Sequence, residues 1–148
     1  MDDDLALQEI DKGIVLLWKN FEFFITGERK DSRFLILSNC HPQFKSFLAI
    51  RATTKTEPYE KSINIVREFI IIPPNSEKPL PAKSAIDIGR IEMLDWVKIK
   101  PLWGNEVKVI GSVSKEFIDQ FDKLVNTSRT IRRDWKAWVL NSKKYKTS

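Results

Sequence analysis

Three observations predict a mainly β fold whose helices are confined to the C-terminal third. Short apolar runs separated by turn residues fill the chain as far as Ile110. After Gly111 the apolar period changes to that of a helix, and no confident helical pattern precedes it. A succession of short strands joined by turns argues for a small barrel. With 148 residues, 42% of them apolar and 30% charged, the chain is long enough to bury a core and ordinary in its balance.

Residues 2–11 scatter Leu5, Leu7 and Ile10 among acids, as a short helical turn or an arm, and Gly13 ends them. Residues 14–18 (IVLLW) form the first strand, which extends toward Phe24; Phe21, Phe23 and Phe24 read as core or interface. A basic loop opened by Gly27 runs to Ser32 with no apolar periodicity. Arg33 then begins a strand over 33–38, its planar fork of donors fixed at a loop-to-strand junction. Pro42 stops the chain from continuing in a ladder because it has no amide donor. Residues 47–53 (FLAIRAT) alternate as a third strand, with Leu48, Ile50 and Ala52 on one face and Ala49, Arg51 and Thr53 on the other.

Residues 55–61 form a polar loop around Pro58, and 62–72 (SINIVREFIII) read as a long β-branched strand ended by Pro73 and Pro74. Two more strands follow over 84–88 and 91–99, separated at Gly89, and Gly104-Asn105 reads as a hairpin turn between 97–103 and 106–110. Ser114 is the expected N-cap of a helix carrying Phe117, Ile118, Phe121, Leu124 and Val125. A second, basic amphipathic helix carries Ile131, Trp135, Trp138 and Val139, and 143–148 form a tail. The expected organisation is a barrel domain with its closing helix over 1–128, including an acidic arm over 1–11, and an appended basic helix and tail over 129–148.

Net charge is +5, which admits a polyanionic partner without demanding one. The ends differ: residues 1–11 carry five acids and no base, whereas 129–146 carry seven bases against Asp134. Cys40 is the only cysteine, so the chain cannot form an internal disulfide, in keeping with a reducing cytoplasm. The acidic start is unlike a signal peptide, and no apolar run reaches the roughly 18 residues of a membrane span. A cytoplasmic protein with no membrane partner is expected.

One histidine and one cysteine cannot build the usual zinc ligand sets. Cys40 and His41 are neighbours, which on an extended strand point apart, so they make a poor thiolate–imidazole pair. No phosphate-cradling glycine motif and no nucleophile elbow occurs. What is left is arginine, lysine and hydroxyl side chains beside strands, the equipment for handling a phosphodiester without metal or cofactor.

The order of these pieces resembles the MazF/PemK family of toxin–antitoxin ribonucleases. The resemblance rests on Gly13-Ile14-Val15-Leu16-Leu17, Ser32-Arg33-Phe34-Leu35-Ile36-Leu37-Ser38-Asn39 and Phe47-Leu48-Ala49-Ile50-Arg51-Ala52-Thr53-Thr54. It continues through Leu80-Pro81-Ala82-Lys83-Ser84-Ala85-Ile86, Ile91-Glu92-Met93-Leu94-Asp95 and the helix after Ser114, and so spans residues 12–127. Phe34 stands where the family has proline, the region of Trp103 is longer, and the last helix is extra. The resemblance implies an SH3-like barrel, a homodimer, and a small acidic antitoxin as partner. It also implies metal-independent, sequence-specific cleavage of single-stranded RNA, in which the 2′-hydroxyl attacks phosphorus. It casts Arg33 as the stabiliser of phosphorane charge and Thr53 (Thr54 as the alternative) as the hydroxyl that orients the 2′-hydroxyl or a phosphate oxygen. Arg29, Lys30, Arg51 and Thr54 would hold flanking RNA. A different class of reading is a non-catalytic barrel that binds nucleic acid or protein, with Trp135 and Trp138 stacking bases beside Arg132, Arg133 and Lys136. At helical spacing those tryptophans equally suit packing on the barrel. A growth inhibitor of the same fold acting on a protein target is a third.

Overall fold

Apolar runs without polar interruption, such as Phe34-Leu35-Ile36-Leu37 and Phe47-Leu48-Ala49-Ile50, have the character of strands buried on both faces. The computed structural model, which describes residues 10–22, 26–61 and 68–142, places them at the centre of such a sheet. Its strands are β1 (Ile14–Glu22), β2 (Arg29–Ile36), β3 (Ser46–Ala52), β4 (Phe69–Ile72), β5 (Ser84–Asp87), β6 (Ile91–Asp95) and β7 (Val107–Ser112). Its helices are α1 (Glu57–Glu60), α2 (Trp96–Ile99), α3 (Lys115–Thr127) and α4 (Arg133–Asn141), with 3-10 turns at Ile88–Arg90 and Lys100–Leu102. Five strands form an antiparallel sheet in the order β6-β3-β2-β1-β7, and β4 pairs antiparallel with β5.

Alternation divides the interior into two cores. On one face Val15, Leu35, Leu37, Leu48 and Ile50 meet Ile70, Ile72 and Ile86 of the β4–β5 hairpin and Phe117, Ile118, Phe121, Val125 and Val139 of the helices. On the other, Leu16, Phe34, Ile36, Phe47 and Ala49 meet Ile10, Trp96, Ile99 and Val107. At ~25 cal/mol per Å² of apolar area removed from water, these two clusters supply the main force holding the strands together.

The sheet does not close into the expected barrel. Among the described residues β7 pairs only with β1, and β4 only with β5, so two edges are left. The space where a closing strand would run over the first core is taken by α3 and α4, whose apolar faces fill it. The two sheets are nonetheless joined through β3. Thr53, just past its end, exchanges both backbone hydrogen bonds with Ala85 of β5 (3.2 and 2.8 Å). Ile50 faces Ile91 and Thr53 faces Ala85, so three residues on β3 span six on its partner. The surplus is absorbed by the 3-10 turn at Ile88–Arg90, where the Asp87 carboxylate accepts from the Gly89 amide at 2.8 Å. Residues 84–95 are thus one kinked strand shared between the sheets.

Several local expectations are corrected. The strand expected over 91–99 stops at Asp95, whose carboxylate accepts from the Val97 amide at 2.9 Å and starts α2. The hairpin about Gly104-Asn105 does not form. Pro101, with no amide to give a ladder, sits in the 3-10 turn, Trp103 and Val107 make a parallel bridge, and β7 pairs instead with β1. The loop about Pro58 contains α1, with Pro58 in its first turn, where a missing amide costs nothing. The acidic arm before Ile10, Phe23, Phe24, the first part of the strand expected over 62–72, and the tail lie outside the described residues.

The helices fall where the period change places them. Ser114 caps α3 by accepting from the Phe117 amide at 3.1 Å. α4 belongs to the first core and not to a separate appendage: Val139 is fully buried there, and the Lys12 ammonium donates to its carbonyl at 2.9 Å.

Candidate functional site

β1, β2 and β3 carry the residues singled out in the sequence toward one end of the sheet. Arg29 and Lys30 stand opposite Glu22 and Phe21 at the outer end of the β1–β2 ladder, exposed to solvent. Arg29 Nη2 lies 3.5 Å from Glu22 Oε2 with both side chains largely exposed, a pairing that contributes little in water. Between them and the core, Asn20 takes a positive φ of 57° where the β1–β2 register shifts, which bends the ladder.

The structure does not put Arg33 and Thr53 on one face. Arg33 pairs with Leu17 and Ala52 and alternates with Leu35 and Leu37, so it projects on the side of the first core. Its Nε is buried and has no hydrogen-bond partner among the described residues. Arg51 pairs with Phe34 and alternates with Ala49, so it projects on the side of the second core. Thr53 continues the Arg51 face, as the sequence alternation anticipates. Its Oγ1 accepts from the Lys55 amide at 3.2 Å, which leaves the hydroxyl hydrogen to donate elsewhere. Thr54 is exposed in the following bend.

Chemistry is denser on the Arg51 side. Glu92 of β6 is the Cα partner of Ala49, diagonal to Arg51 across the β3–β6 ladder, and half-buried. Burial pushes the Glu92 carboxyl above its ordinary value, against the opposing pull of Arg51. Burial likewise lowers the Arg51 guanidinium; Glu92 opposes that shift and Arg90 adds to it. Beyond the kink, Asp87 Oδ2 accepts from the buried Tyr59 hydroxyl at 2.7 Å and lies 3.8 Å from Arg90 Nε. Phe21 meets Trp18 and Phe34 edge-on, and those two rings are tilted against each other, all with centroids 5.0 to 6.0 Å apart on the same side of the sheet. A guanidinium, a hydroxyl and a partly desolvated carboxyl along one strand pair can grip an anion and move a proton.

Glu92, Asp87 and Tyr59 were not singled out by sequence reasoning. The alternation Ala49-Arg51-Thr53 is legible in the chain, but which carboxyl stands beside Arg51 depends on the β3–β6 register, which no local pattern encodes.

The other candidates are occupied structurally. Trp135 and Trp138 are partly buried against the first core. Trp138 Nε1 donates to the Asn39 carbonyl at 3.1 Å, and the Arg132 guanidinium lies 4.8 Å from the centroid of the Trp135 ring. His41 Nδ1 accepts from the Gln43 and Phe44 amides at 3.1 and 3.3 Å, and burial pushes the Cys40 thiol up, so the two form no thiolate–imidazole pair. Among the described residues no cluster of three or more His, Cys, Asp or Glu side chains is arranged to hold a metal ion, and no helix is long and apolar enough to cross a membrane. Compared with known proteins, the chain matches no family model and no curated protein.

Proposed function

We propose that this protein is a metal-independent endoribonuclease toxin of the MazF/PemK type, acting on single-stranded RNA as a homodimer and held in check by a small acidic antitoxin. The observation that carries the reading is the placement of Arg51 on β3 and Thr53 just past its end on one face, beside Glu92. The kinked strand shared between two sheets supports an SH3-like barrel left open on one side, and the collinear motifs from Gly13 to Val125 support the family. Arg51 neutralises charge on the phosphorane, and Thr53, with its oxygen already engaged by an amide, donates to a non-bridging phosphate oxygen. Arg29, Lys30 and Thr54 hold the flanking strand. Arg33, on the opposite face, is a second candidate for the charge-stabilising role, since its buried Nε has no hydrogen-bond partner among the described residues.

The test is cleavage of single-stranded RNA by the purified protein in EDTA, with products mapped for 5′-hydroxyl and cyclic-phosphate ends, alongside mapping of new 5′-hydroxyl ends after induced expression. Discrete cleavage at short sequences is the expected result. Cleavage that EDTA abolishes, or none on any RNA, overturns the reading. The second reading is a module of the same fold that binds nucleic acid or protein without catalysis. One observation favours it: the arginine and threonine of the family pattern do not converge here. RNA retained in a filter-binding assay but never cut is its signature.

A further inference from the structure

We infer that Glu92 is the general base of this site, taking the proton from the attacking 2′-hydroxyl of the RNA. The inference rests on the ribonuclease reading and adds to it a residue that the family pattern does not supply.

Geometry carries it first. Glu92 sits on β6 opposite Ala49, with Arg51 as its diagonal neighbour on the same face. Diagonal neighbours in an antiparallel pair stand about 7–8 Å apart, within reach of two long side chains. That spacing lets a phosphate lie between a guanidinium and a carboxyl. Among the described residues the Glu92 carboxyl makes no hydrogen bond and no ion pair within 4 Å, although it is half-buried. A carboxyl that served only to neutralise Arg51 would close on it, as Asp122 closes on Lys12. Asp87, the other acid on this side, is already engaged by Tyr59 and Gly89. The charged group facing Glu92 is Arg51 from β3; Arg90, near Arg51, pairs with Asp87 at the kink. Partial burial makes the carboxylate more basic, which brings it closer to the strength that suits a general base near neutral pH.

The step balances. The 2′-oxygen forms a bond to phosphorus as its proton passes to the Glu92 carboxylate. The bond from phosphorus to the 5′-oxygen breaks, and that oxygen takes a proton from water. Arg51 holds the negative charge on the phosphorane throughout, and Glu92 returns its proton to solvent.

The experiment compares wild type, Glu92→Gln and Glu92→Asp on an RNA that the wild type cuts, with rates followed across pH. Glu92→Gln is expected to lower kcat by about a hundredfold or more. It should also flatten the acid limb of the pH profile, and Glu92→Asp should restore part of the rate. Binding of the same sequence carrying 2′-O-methyl groups should be unchanged in Glu92→Gln, because a base is not a binding group. A lower rate with the acid limb intact would reduce Glu92 to positioning Arg51, and a wild-type rate in Glu92→Gln would remove it altogether. Either result overturns the inference and leaves the ribonuclease reading standing. A wild type that cleaves no RNA overturns the ribonuclease reading, and the base with it.

Discussion

Lys12 Nζ lies 2.5 Å from Asp122 Oδ1, joining the chain two residues ahead of β1 to the middle of α3 across 110 positions of sequence. The lysine is 2% exposed and the aspartate 21%, so the ammonium is the partner that cannot reach water. Its second bond, to the Val139 carbonyl, ties α4 to the same point.

This asymmetry gives the first prediction. Asp122→Ala strands a buried ammonium and should cost about 3–5 kcal/mol of unfolding free energy. Lys12→Met should cost less, because Asp122 is exposed enough to hydrate and methionine fills the lysine's volume. Urea denaturation of both variants measures the difference, and equal losses would mean that the charge pair is not what the position requires.

A backbone constraint gives the second. Gly13 has φ +104°, and a Cβ there would come within 2.6 Å of Ile118 Cδ1. Gly13→Ala combines left-handed strain with overpacking, and should destabilise by on the order of 2 kcal/mol or more. Thermal unfolding should show a clear drop in Tm. An unchanged Tm would mean that the Ile118 side chain can turn aside, and the backbone at Gly13 relax, at no cost.

The third concerns pH. Burial pushes the Glu68 carboxyl up, but bonds from the Ser128 and Thr130 hydroxyls and the Arg129 and Thr130 amides outweigh it and hold it below its ordinary value. A depressed carboxyl contributes stability that is present above its unfolded value of about 4.5 and fades as pH falls through the lower folded value. Glu68→Gln should therefore be less stable than wild type at pH 7, and the gap should narrow toward pH 3. A gap that does not change with pH would mean that the loss comes from packing and not from the charge. The turn between α3 and α4 should loosen in the variant, as amide hydrogen exchange at Arg129 to Ile131 would report.

The fourth separates the two faces of the sheet. Arg51→Ala should lower RNA cleavage by about a hundredfold or more, as loss of a charge-stabilising donor does. Thr53→Ala, which removes one neutral hydrogen bond, should cost about tenfold or less. Arg33→Ala should cost less than Arg51→Ala, and Arg33→Met should be neutral or stabilising, because it removes a buried Nε that has no partner among the described residues. Circular dichroism checks each fold. A larger loss in folded Arg33→Ala than in Arg51→Ala would move the charge-stabilising role to Arg33.

The sequence by itself determined the class of the fold and the alternation within its strands. Ile14 to Leu17, Phe34 to Ile36 and Phe47 to Ile50 lie in strands because their apolar runs are short and continuous, and α3 starts just after Ser114 because a hydroxyl there meets the Phe117 amide. These are local effects, decided by residues within a few positions of one another. The open edges of the two sheets, the helical turn after Asp95 and the company that Arg51 keeps were decided by tertiary structure. The helices took the place of a closing strand because their apolar faces filled the first core. Asp95 capped a turn because Trp96 and Ile99 could then reach the second core. Arg51 and Arg33 are separated only because neighbouring strands align Phe34 with Arg51, which puts the two arginines on opposite faces. Register is a long-range property, and shifting it by one residue turns every side chain to the other side of the sheet.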